Sequence, residues 1–192
     1  PLSAGLVLCP WPNRILDGRY SFGGQDYQLE ITEPARNNAS HGLVRRLDWT
    51  LAEHSASSVT QEIDVPDAPG WPFGLHLRIT HELGPDGLVV THTATNTGDT
   101  DCPFGLGMHT FLRAGNTPLD ECTLQLSVTQ RQPLDPERLV AVGDTVPVAG
   151  TADDFSVPRL LEGVWLDTPF TGLRPGPDGR ARQVLRSPDG GT

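Results

Sequence analysis

Eighteen prolines and 21 glycines punctuate a chain of 192 residues. A proline removes a backbone donor and clashes with the preceding helical turn, so punctuation this dense leaves little room for long helices. The chain must instead fold as short extended segments joined by turns. Alternation with a period of two is the legible pattern. In LHLRITHEL, Leu75, Leu77, Ile79, His81 and Leu83 share one face while His76, Arg78, Thr80 and Glu82 share the other. GPDG at 84–87 interrupts the run and LVVTHTATN resumes it in β-rich composition, which predicts a hairpin with a four-residue loop.

The same alternation recurs at Cys122, Leu124, Leu126 and Val128 against Thr123, Gln125, Ser127 and Thr129, and in DYQLEIT at Tyr27, Leu29 and Ile31. DAPGWPFG at 67–74 and the stretch 143–163 read as longer loops. Many short strands separated by turn signals predict an all-β class, a large antiparallel β-sandwich or barrel with one broad sheet face open to a ligand. Residues 1–192 read as a single domain, since a chain of this size buries roughly 70% of its unfolded surface.

Charge narrows the partners. Lys plus Arg total 14 against 24 Asp plus Glu, a formal net charge of −10 with no basic stripe, which argues against nucleic acid. All the cations are arginine, so neither a lysine Schiff base nor a phosphate-loop lysine operates within the chain. Cys9, Cys102 and Cys122 form neither a CxxC pair nor an even disulfide set, which favours a reduced, cytoplasmic compartment. No apolar run approaches 18 residues and no leader pattern is visible, so no membrane span is expected. The chain opens without Met on PLSAGLVLCPW and stops at RSPDGGT, so both ends read as cut from a longer protein.

Six histidines raise the question of a metal. None lies in an HxxxH spacing, and His76 and His81 point to opposite faces of one strand, so no metal site is expected. His81 and His92 fall on the apolar phase of the hairpin and read as half-buried, hydrogen-bonded structural residues; His54 and His76 read as solvated. His41 is different: it sits between Ser40 and Gly42 in the polar passage ARNNASHGLVRRLDW, where a missing Cβ allows close approach. His109 lies in CPFGLGMHTFLR between Met108 and Phe111, with Gly105 and Gly107 marking the close approach of a ligand or another backbone. Imidazole titrates near neutrality and serves as acid or base. Asn13-Arg14 in the rigid CPWPNRILDGRY, and Asp167 beside Phe170 in WLDTPFTGL, add the planar polar groups and aromatics that a sugar ring requires.

Four ordered motifs, PWPNRILDGRYSFGGQDYQLE, NNASHGLVRRLDW, THTATNTGDTDCPFGLGMHTFLR and LDTPFTGL, resemble those of the aldose 1-epimerase (galactose mutarotase) family over nearly the whole chain. The resemblance implies a large antiparallel β-sandwich, galactose mutarotase-like and incomplete at both ends, with a sugar cleft on one sheet. It implies a cofactor-free interconversion of the α and β anomers of an aldose: a histidine acts as acid on the ring oxygen while a glutamate takes the anomeric proton. By motif His109 resembles the acid and His41 the histidine that supports charge on the ring oxygen. Arg14, Asp167 and Asn37 resemble substrate-binding residues. The partner implied is a monosaccharide of glucose or galactose type.

Two departures accompany the resemblance. The family's base is a glutamate well downstream of the aspartate, whereas no glutamate follows Glu162, so the base is expected outside these residues and the fragment is expected to be nearly inactive. HGLVR is also similar to the hexose-6-phosphate epimerases, whose arginines receive phosphate; Arg45 and Arg46 would serve there. A non-catalytic carbohydrate-binding sandwich is the alternative of a different class.

Overall fold

The computed structural model describes residues 3–190. Every ladder between its strands is antiparallel, and its helical content is two single 3-10 turns, Pro34–Arg36 and Leu119–Glu121. The expected all-β class is what forms. Two compact units are present, Pro1–Thr110 and Phe111–Thr192.

The first unit is built on a four-stranded sheet in chain order, Thr50–His54, Ser58–Asp64, Leu75–Gly84 and Gly87–Asn96. The predicted hairpin joins its last two strands, but Gly84 pairs with Gly87, so the loop is the two residues Pro85 and Asp86 rather than four. Proline at the second position and glycine at the fourth are the residues a tight turn favours, and Gly87 carries a φ of 109°. On the apolar face Leu75, Leu77 and Ile79 are buried; the alternation then outruns the core, and Leu83 is 64% exposed.

His81 lies opposite Val59 and Val90, and His92 opposite Ile79. Both residues are half-buried as expected, but His81 Nδ1 and His92 Nε2 are shielded from solvent without a hydrogen-bond partner, because the side chains facing them across the ladder are apolar. His54 is exposed. His76, expected in solvent, is instead flanked by carboxylates, with Nδ1 2.8 Å from Asp64 Oδ1 and Nε2 3.7 Å from Glu62 Oε2, because the register sets Asp64 directly across from it.

Around this sheet Cys9, Trp11, Leu29, Ala39, Val44, Val65, Trp71 and Phe73 close the core with Leu75 and Leu77. DAPGWPFG carries no strand, as expected, yet it buries Trp71 edge-on against Phe73 at 5.1 Å and accepts a 2.8 Å hydrogen bond from the Tyr20 hydroxyl at Gly70 O. Each such burial stabilises by about 1.5–3 kcal/mol. The hairpin Arg19–Phe22 with Gln25–Gln28 turns through Gly23 and Gly24, both at positive φ. Its ladder stops at Gln28, short of the Ile31 that the alternation predicted; Leu29 N–H still reaches Gly18 O, opposite it in register, and the Leu29 side chain enters the core.

In the second unit Thr123–Leu126 lies between Arg159–Leu160 and Gln183–Arg186, and Gln130–Arg131 lies between Val146–Pro147 and Phe170–Thr171. The stretch 143–163, read as loop, contributes two of these short strands and the fully buried Phe155. Phe155 packs edge-on against Phe170, with the Arg159 guanidinium 4.6 Å from its ring centre.

Candidate active site

The antiparallel ladder of Arg14–Leu16 with Asn38–Ser40 sets Arg14 opposite Ser40, and one step further on Asn13 meets His41. Asn13 and His41 both hold left-handed backbone, φ 57° and 62°. That conformation is disfavoured for a side chain with a Cβ and is accepted most readily by Asn, Asp and His. Two hydrogen bonds maintain it: His41 N–H donates to Asn13 O at 2.8 Å, and Asn13 N–H donates to His41 Nδ1 at 3.2 Å. Gly42 follows at φ 68°, and a Cβ there would lie 2.0 Å from Cys9 O. The missing Cβ admits the chain at Cys9, whose carbonyl accepts from Leu43 N–H at 2.8 Å.

His109 reaches the same neighbourhood from another ladder. Gly107–Met108 pairs with Val7–Leu8, and His109 continues it, its N–H donating to Leu6 O while its carbonyl accepts from Gly5 N–H. Gly105 and Gly107 were expected to admit a ligand or another backbone: the Pro12 side chain lies 3.0 and 2.9 Å from the Cβ positions the two glycines lack, and at Gly105 the backbone of Pro10 also comes close, its carbonyl oxygen 3.4 Å away. PWPNR therefore packs directly on GLGMH. The outcome is an imidazole pair: the rings of His41 and His109 stand 6.1 Å apart, centre to centre, at 84°.

Arg14 is held by Glu33. Nε donates to Oε2 at 2.7 Å, Nη2 to Oε1 at 3.1 Å, and Nη1 to Asn13 Oδ1 at 2.8 Å. The ion pair holds the Glu33 carboxyl down at about 2. His41 is pushed below the usual histidine range, first by desolvation and then by the cations Arg45 and Arg14. Its Nδ1 accepts from a backbone amide, so the neutral ring carries its proton on Nε2 and offers a donor there. Arg45 is half-buried and makes no ion pair among the described residues; with Gln61 and His81 it lines a cavity of about 160 Å³ that has no acidic residue in its wall. Arg46 is exposed.

His41, His109 and Arg14 thus come together in the first unit. Asn37 caps the 3-10 turn in left-handed backbone and donates its amide to Asp17 Oδ1 at 2.6 Å; the neighbouring Asn38, fully buried, is the one that donates to Glu33. Asp167 belongs to the second unit, where it is exposed ahead of Phe170–Thr171. Sequence reasoning passed over Glu33, Asn13 as a partner of His41, and Asn38. Glu33 gave one weak signal, an acid fixed in extended backbone before Pro34.

The family model described as aldose 1-epimerase matches residues 2–190. The uncharacterized protein YihR of Escherichia coli K12 is 39% identical over 132 residues, 68% of this chain and 43% of that protein. A galactose mutarotase of Rattus norvegicus is 29% identical over 82% of this chain and 46% of its own length, and a maltose epimerase of Levilactobacillus brevis 30% identical over 78% and 45%. The chain spans about half the length of the curated relatives it matches. Among solved structures, a galactose 1-epimerase from Lactobacillus acidophilus superposes with a TM-score of 0.77 at 20% identity, covering 94% of this chain and 57% of that one. A GalM/aldose epimerase homologue from C. elegans gives 0.75 at 20% identity over 84% and 50%.

Proposed function

Because the chain belongs to the aldose 1-epimerase family, we propose that it supplies the acid side of an anomer interconversion on a free hexose. The observation that supports this most directly is the imidazole pair, His41 and His109 at 6.1 Å with Arg14 alongside. His109 gives a proton to the ring oxygen as the bond from C1 to that oxygen breaks, and His41 Nε2–H donates to the same region as charge moves. A carboxylate elsewhere in the full chain takes the proton of the anomeric hydroxyl, leaving an open-chain aldehyde. Rotation about C1–C2 and closure on the other face return the second anomer and restore both proton carriers. Two positioned acid–base groups of this kind contribute roughly 10²–10⁴-fold each. Arg14 and Asn37 bind sugar hydroxyls in this reading, and the three free thiols suit the cytoplasm.

A second reading has its own support. Arg45 is a half-buried cation with no ion pair among the described residues, beside a cavity without acids in its wall, which suits a sugar carrying phosphate. Polarimetry on freshly dissolved α-D-galactose, α-D-glucose and glucose 6-phosphate tests both readings in the full chain. Acceleration of a free hexose supports the first, a preference for the phosphorylated sugar the second. Saturable sugar binding without acceleration would leave a carbohydrate-binding sandwich.

A further inference from the structure

Glu33 has no part in the chemistry above, yet its carboxylate is the centre of a network. Oε2 accepts from Arg14 Nε and, at 3.3 Å, from Asn38 Nδ2; Oε1 accepts from Arg14 Nη2 and, at 3.2 Å, from Arg36 Nη1. The backbone that carries this carboxylate is held by the 3-10 turn that begins at the next residue, with Arg36 N–H donating to Glu33 O, and by Asn38 N–H donating to the same carbonyl. Both members of the Arg14–Glu33 pair are largely buried, with side-chain exposures of 17% and 20%.

We propose that Glu33 is a positioning residue: it clamps the Arg14 guanidinium so that the two N–H bonds left unengaged point to substrate hydroxyls, an inference that rests on the epimerase reading. A guanidinium has five N–H bonds. Two go to Glu33 and one to Asn13, so one remains on each Nη. Unclamped, an arginine must be ordered at each binding event; held in a bidentate fork it is already organised when the sugar arrives. The pairing also neutralises Arg14, which fits it to hydroxyl oxygens rather than to an anion. Glu33 is unsuited to be the missing base, because a carboxyl held at about 2 has little tendency to take a proton near neutrality.

The test is a double-mutant cycle in the full chain. Glu33→Gln raises KM roughly tenfold with kcat within about twofold, and adds nothing in an Arg14→Ala background. Equal effects of Glu33→Gln in the two backgrounds overturn the proposal, as does a Glu33→Gln variant whose urea midpoint falls while KM stays at the wild-type value, the result a purely structural ion pair would give. Glu33→Asp keeps the charge and holds KM within about threefold, which serves should the Gln variant fail to fold. NMR of the Arg14 Nε–H reads the clamp without turnover: its exchange with solvent is slow in the wild type and fast in Glu33→Gln, and fast exchange in the wild type overturns the clamp. A wild-type chain that turns over no aldose sinks the epimerase reading, and the exchange rate then decides the clamp by itself.

Discussion

Asn13 and His41 hold each other by two hydrogen bonds, one backbone to backbone and one from the Asn13 amide to the His41 ring. The second bond selects a tautomer. Nitrogen-15 NMR at pH 7 is expected to show His41 neutral with the proton on Nε2; a protonated Nδ1 would contradict the donor role assigned to this ring.

Proton uptake follows from the same environment. His41 and His92 are both held below the ordinary value near 6.5, in each case first by desolvation. The unfolded chain therefore binds more protons than the folded one below that pH. Their contribution leaves stability highest above 6.5 and lowers it as the pH falls through the folded values. Urea midpoints at pH 7.5 and 5.5 check this, the lower pH giving the lower midpoint. Glu33 acts in a separate window: its stabilisation is complete above its unfolded value of 4.5 and is lost as pH falls toward about 2. A midpoint unchanged from 7.5 to 5.5 would show that the histidines are not desolvated in solution.

His109→Ala is expected to lower mutarotation about 10²–10⁴-fold while leaving the circular dichroism of the full chain unchanged, since the ring takes no part in the ladder that positions it. Retained rates in a folded variant would remove the acid assignment.

Arg45→Ala separates the two substrate readings. With a free hexose as substrate, kcat/KM stays within about threefold; with glucose 6-phosphate it falls by about tenfold or more, because a charge-assisted hydrogen bond is lost. Equal losses on both sugars would assign Arg45 to the fold.

Two substitutions test the scaffold. Gly42→Ala combines a Cβ 2.0 Å from Cys9 O with a φ of 68°, and of the order of 3 kcal/mol is expected from the urea midpoint. Phe155→Ala empties a fully buried position in the second unit and costs about 3–5 kcal/mol. A loss under about 1 kcal/mol in either would mean that the backbone or core relaxes around the change.

The hairpin of 75–96 was legible because strand period and turn chemistry are local, and His41 because an imidazole beside glycine is conspicuous in a polar passage. Two-residue strands such as Val146–Pro147 are too short to display a period. Gly107 was conspicuous, but the occupant of its missing Cβ, Pro12, comes from a segment far away in the chain. Glu33 meets Arg14 across 19 residues through a register that no local pattern encodes.

The ladder between 14–16 and 38–40 works as a clasp on the chain it encloses. Leu29 anchors that enclosed chain in the core, but the hairpin tip at Gly23 and Gly24 has no neighbouring atoms around either Cβ position. Residues inserted at the tip would change the outline of the molecule without changing the step between Asn13 and His41. The tip is a port for a dye or an affinity handle, and a place where the length of the polypeptide can drift while the imidazole pair keeps its spacing.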